Sequence, residues 1–147
     1  MIKKKSNLAV LELKIVDDLI EYYINGRSFM DMVREVELPF AENESYPDIA
    51  GAYAGLSSNG IWRLSNEKGF WNGKEPLFVC RECFSEMCWG FYAKITITNK
   101  AVTWSEFEHI ARDEWKYDKL GVIIFDKSQY LQAIRLKKDE IKPIKWE

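Results

Sequence analysis

The chain has 147 residues, a net charge of −2 from 21 basic and 23 acidic side chains, and a 47% hydrophobic share. That length suits one domain, spanning 1–147, whose core needs no covalent staples. The lack of a positive excess removes the bulk electrostatic drive toward nucleic acid or an anionic membrane. No stretch approaches the ~20 apolar residues of a membrane span. The apolar run at 8–11 stops at Glu12, too short for a secretory h-region. An odd set of 3 cysteines argues against a disulfide framework. The expectation is a soluble, cytoplasmic protein.

In chain order, Ala9, Leu11, Leu13 and Ile15 alternate with Val10, Glu12, Lys14 and Val16, which predicts a strand. A second strand follows at 19–24, rich in β-branched and aromatic residues, with Asp17-Asp18 as the turn between them. Asn25-Gly26 supplies the positive φ of another tight turn. Ser28 is placed to cap a helix, with Asp31 three residues on. Phe29, Met32, Val33 and Val36 give that helix one apolar face, with Arg34, Glu35 and Glu37 on the other. Pro39 is expected to end it, because the residue before a proline is pushed out of the α region.

The stretch 41–76 has no clear period. Its 47–56 part reads as a short helix or a compact loop. The part at 57–74 carries Gly60, Gly69 and Gly73 with Trp62, Phe70 and Trp71, so an ordered loop is expected. A short strand is predicted at 77–80. The clearest strand covers 89–98, where Trp89, Phe91, Ala93, Ile95 and Ile97 alternate with Gly90, Tyr92, Lys94, Thr96 and Thr98. Asn99-Lys100 turns it into a return strand at 101–108. A short apolar run at 122–125 follows a polar link. Asp126 with Gln129 marks a helix start, Tyr130, Leu131, Ile134 and Ile141 form its apolar stripe to about 140, and Pro143 closes it. Hairpins in place of βαβ units predict an α+β fold: an antiparallel sheet of five or six strands, with two main helices packed on one face.

The sharpest chemical signal is the cysteine corner, Cys80-Arg81-Glu82-Cys83 with Cys88 and Trp89 close behind. Cys80 and Cys83 have the spacing that lets two thiolates meet one ion from a tight turn, and Cys88 can fold back as a third ligand. The fourth would be His109, the one histidine, or a carboxylate such as Glu82 or Glu86. If the 89–98 and 101–108 hairpin forms, it carries Cys88 and His109 to the same end of the sheet. Zinc is therefore the candidate cofactor. The competing readings are half-buried thiols at a strand corner, or a reactive cysteine with Arg81 nearby and His109 as base. No βαβ context supports a thioredoxin-like motif.

Other clusters have plain structural readings. Glu42, Glu44 and Asp48 fit a solvated loop, since no hard-metal loop pattern accompanies them. Arg135, Lys137, Lys138, Lys142 and Lys145 form a basic patch, but cations at a helix C-terminus also complement the macrodipole. Phosphate-binding, dinucleotide, serine-hydrolase and zincin signatures are missing.

The runs Tyr23-Ile24-Asn25-Gly26-Arg27-Ser28, Val33 through Ala41 and Pro47 through Leu56, with the Cys80/Cys83/Cys88-Trp89 corner and Val102 through Glu108, resemble a family of small uncharacterised bacterial proteins. The resemblance implies a bacterial, cytoplasmic, single-domain protein and carries no functional residue with it. The family sets its first two cysteines closer together than Cys80 and Cys83 stand here. The function these features favour is a non-enzymatic binding protein, of the immunity, resistance or regulatory kind. It would hold a protein or small ligand in an aromatic and acidic groove near Trp62, Trp71, Trp89 and Trp104. The alternatives are an enzyme using Cys83 or Cys88 with His109, directly or through a bound metal, and a zinc-dependent nucleic-acid module using the basic C-terminal helix.

Overall fold

A computed structural model describes residues 8–141 of the chain. Pro143, Lys142 and Lys145, part of the expected helix stop and basic patch, lie outside the described residues. The first sheet is an antiparallel meander of β1 (Leu11–Val16), β2 (Leu19–Ile24) and β3 (Arg27–Ser28). Both its turns are two-residue turns with positive φ at each central position: Asp17 at 52° and Asp18 at 65°, then Asn25 at 52° and Gly26 at 82°. Their backbone twist matches that of the flanking strands, which is why these short polar pairs set the register.

The second sheet has the order β4 (Tyr53–Gly55), β5 (Glu75–Cys80), β6 (Phe91–Ile97), β7 (Ala101–His109) and β8 (Ile123–Asp126), antiparallel throughout. The α+β class and antiparallel pairing are as expected, and β6 holds the central place its alternation predicted. The strands are divided between two sheets, however. Register shifts at Pro76/Phe78 and Tyr92/Lys94 increase the twist and curl the larger sheet. Its edges meet the meander at both ends. The Ile20 amide donates to the Leu56 carbonyl at 2.8 Å, and the Ala9 amide donates to the Ile124 carbonyl at 2.7 Å.

Helix α1 (Phe29–Asn43) begins where predicted, with the Ser28 hydroxyl accepting from the Asp31 amide at 3.3 Å. It does not stop at Pro39, which lies inside it. Proline removes one helical donor, but burial beyond it wins: Ala41 is fully buried, and Glu37 is held from three sides. Helix α2 (Lys127–Lys138) starts at its predicted cap, where the Asp126 carboxylate accepts from the Gln129 amide at 3.0 Å. The Gln129 side chain then pairs with Leu11 as a strand would, accepting from its amide at 2.9 Å and donating to its carbonyl at 2.6 Å.

The core is a stack of rings. Phe29, at the first turn of α1, sits 5.3 Å from Trp104, 5.8 Å from Phe78 and 6.0 Å from Phe91, centroid to centroid. Trp104 donates its indole N–H to the Tyr130 hydroxyl at 3.0 Å, and that hydroxyl donates to the Leu64 carbonyl at 2.5 Å. The ambiguous 41–76 stretch resolves into a 3-10 turn at Pro47–Ile49, strand β4, and a longer 3-10 helix at Ser58–Ser65. The predicted order of that stretch is thus carried by short elements, anchored by buried Ile61 and Leu64.

Candidate functional site

Strand β5 delivers Cys80 to the edge of a tight loop. The Phe84 amide donates back to the Cys80 carbonyl at 2.7 Å, and the Cys80 amide donates to the Ser85 carbonyl at 3.2 Å. Closing so small a loop requires a left-handed residue, and Phe84 takes that conformation at φ 57°. Amide N–H groups of Cys83 and Glu82 point at the Cys80 sulfur and draw its pKa below the ordinary thiol value. The linker before β6 brings in Cys88, and the sulfurs of Cys80, Cys83 and Cys88 all lie within 4.8 Å of one another. All three are free thiols, with Cys80 buried and the other two exposed. The Cys88 thiol is pushed up to about 11, first by its hydrogen bonds with Cys83 and Cys80 and then by their charge.

The hairpin places His109 opposite Phe91, at the end of the sheet foreseen for it. It does not join the thiol group. Its ring is fully buried against Trp89, 4.1 Å away edge to face, and Trp115, at 5.1 Å. Its Nδ1 accepts from the Ala111 amide at 3.0 Å, so the neutral ring carries its proton on Nε2. Burial, aided by the Arg112 guanidinium, lowers its pKa to about 3. Periodicity put His109 at the right strand end; the inward turn of its ring was decided by the aromatic side chains around it.

The four tryptophans do not line one groove. Trp104 is 0% exposed, on the inward side of β7 with Val102, and can meet no ligand. Trp71 is half-buried against Tyr92, 5.5 Å away. Trp89 is half-buried between His109 and Arg112, whose guanidinium lies 5.0 Å over its ring. Trp62 is different. Ile61 and Leu64, three apart on the Ser58–Ser65 helix, take its inward side, and Trp62 is left 55% exposed.

Trp62 and Phe84, the latter also 55% exposed, line one cleft of about 340 Å³ with Arg63, Glu86, Leu19 and Val79. The Arg63 guanidinium donates to buried Glu75 at 2.9 Å and lies 5.0 Å over the Trp62 ring. Its charge is therefore matched. The Glu86 carboxylate makes no hydrogen bond or ion pair among the described residues, so the cleft carries one carboxylate without a protein partner there, beside its rings. A second cavity, about 370 Å³, opens between β2 and β4 beside Ile20, Tyr22, Gly55 and Phe78. The Tyr22 hydroxyl there is already engaged by the Leu77 carbonyl at 2.8 Å.

Sequence reasoning passed over Phe84 and Arg63 as site residues, and named Glu86 only as a metal-ligand alternative. Nothing in a single phenylalanine between cysteines signals exposure. It set Glu37 on the polar face of α1, but the side chain is fully buried, where it accepts from the Gly51 amide at 2.8 Å and from the hydroxyls of Tyr53 and Tyr117. Of the acidic segment, Glu42 and Asp48 are exposed, though Glu42 lies in the last turn of α1 and Asp48 in the 3-10 turn, not in an open loop. Glu44 instead accepts from Arg112 Nε at 3.0 Å and Trp115 Nε1 at 2.6 Å, tying the end of α1 to the 110–117 loop. No helix among the described residues is long and apolar enough to cross a membrane. Comparison with known protein families, curated proteins and solved structures gave no match.

Proposed function

We propose that this chain is a non-enzymatic binding protein of the bacterial cytoplasm, whose seat for a small organic cation is the cleft between the Ser58–Ser65 helix and the cysteine loop. One observation supports this most directly: two largely exposed aromatic side chains, Trp62 and Phe84, border a cavity with the Glu86 carboxylate, which has no partner among the described residues. Its volume falls within the range of small-ligand pockets, roughly 300–1,000 Å³. Exposed rings beside a carboxylate suit a ligand that offers a positive charge and an apolar body, since cation–π attraction and ion pairing then act together. The cavity between β2 and β4 is less suited, because its inner hydroxyls are engaged within the protein.

The test uses benzyltrimethylammonium with isotopically labelled full-length protein. Saturable shifts of the Trp62 indole resonance and of the 84–86 amides are expected. W62A and E86Q are each expected to weaken binding about tenfold, the size of a cation–π or exposed charge contribution of roughly 1–1.5 kcal/mol. Equal binding of an anionic aromatic of the same size, or binding untouched by both substitutions, rejects the reading.

A further inference from the structure

We infer that Cys80, Cys83 and Cys88 bind one soft divalent metal ion, zinc first among them, as a three-thiolate site whose fourth position is taken by a group from outside the trio. The inference is independent of the cation cleft, although Phe84 and Glu86 lie between two of its ligands.

Three features of the corner carry it. First, the sulfurs already converge. They lie within 4.8 Å of one another, and a tetrahedral ion with sulfur bonds near 2.3 Å sets its ligands about 3.8 Å apart. The adjustment needed is small and falls on two exposed side chains. Second, the turn is prepared for a thiolate. The Cys83 and Glu82 amides are directed at the Cys80 sulfur, and the bonds joining Cys80 to Phe84 and Ser85 hold that turn closed. Amide donors to a ligating sulfur orient it and tune its basicity. Third, the ordinary reasons for clustered cysteines fit poorly. A core role suits Cys80 alone, since Cys83 and Cys88 are exposed.

Donor chemistry selects the ion. A trio of thiolates favours zinc and other soft ions over magnesium or calcium, which take oxygen ligands. His109 does not supply the fourth donor: it lies outside the group of converging sulfurs, and its buried ring is packed against Trp89 and Trp115. Three protein ligands with one exchangeable position is the pattern that leaves an ion open to a further ligand.

The experiment is an anaerobic cobalt(II) titration of the reduced full-length protein, with zinc as competitor. Saturation at one cobalt per chain is expected, with intense sulfur-to-cobalt charge-transfer absorption, tetrahedral visible bands, and displacement by zinc. C83S and C88S alter exposed positions, so near-ultraviolet circular dichroism should remain that of the native fold. Each should weaken cobalt binding on the order of 100-fold, the share of one ligand in the free energy of a structural zinc site, and lower the charge-transfer intensity. Absence of saturable binding while all three thiols react as reduced overturns the assignment. So does cobalt binding that C83S and C88S leave unchanged, or charge-transfer absorption that reports a single sulfur. Because the readout is the metal itself, it is unaffected by whether the cleft takes a cation.

Discussion

Glu37 and His109 are both fully buried, and their pKa values move in opposite directions. Burial raises the Glu37 carboxyl above 4.5, against the pull of Tyr117, Tyr53 and the Gly51 amide. Its folded-state value is the higher one, so its contribution to stability is complete below 4.5 and is lost as pH rises through the folded value. His109 behaves the other way. Burial first, and Arg112 second, take it from 6.5 to about 3. The unfolded chain then binds a proton that the folded chain refuses, and stability falls as pH drops from 6.5 toward 3. Where the two windows overlap above 4.5, the slopes oppose each other. H109N keeps an acceptor for the Ala111 amide and removes the titration. Urea unfolding across pH should show the variant losing up to one proton of slope, about 1.4 kcal/mol per pH unit, between those limits. An unchanged slope would show that His109 is not kept neutral by its surroundings.

Helix α1 shows propensity overruled by packing. Its start obeys local rules, with a serine cap and an apolar face through Phe29 and Val33. Its length does not. Proline 39 lacks the N–H that would bond one turn back, and the helix continues because Ala41 and Glu37 are fixed on either side of it. P39A restores the missing donor in a helix interior, so an increase in stability of about 1–3 kcal/mol is expected, read as a higher urea midpoint. A lower midpoint would mean that the fixed φ of the proline ring contributes more than the lost hydrogen bond costs. The Ser58–Ser65 helix illustrates the converse. Its three-residue repeat turns Ile61 and Leu64 inward together, and Trp62 is exposed as a consequence.

The molecule as a whole depends on the junctions between its two sheets. At one of them Gly55 lies against the Ile20 carbonyl, and a methyl group at 55 would overlap that oxygen. The neighbouring bond from the Ile20 amide to the Leu56 carbonyl joins the meander to β4. G55A should therefore cost about 1–3 kcal/mol, as overpacking does, and should speed hydrogen exchange at Ile20 and Ser58 more than at the centre of β6. Uniform exchange through both sheets would show that the junction is not a separate point of weakness. The other junction, from Ala9 to Ile124, lies beside the Gln129 clamp on Leu11, so α2 and the first strand hold each other in place.

Short-range information was legible at the turns and helix starts, though not at Pro39 or across 41–76. Asp17-Asp18 and Asn25-Gly26 announced their turns, Ser28 and Asp126 their caps, and the alternation from Phe91 to Ile97 its central strand. Each of these is settled by a few neighbouring residues, which is why a sequence reveals it. The convergence of Cys80, Cys83 and Cys88 was legible for the same reason, being a matter of one short loop. The division of the strands into two sheets, the sequestration of His109 and Trp104, and the opening of a cleft between Trp62 and Phe84 were not. They depend on which side chains meet across long separations in the chain, and local pattern carries no record of that competition for the interior.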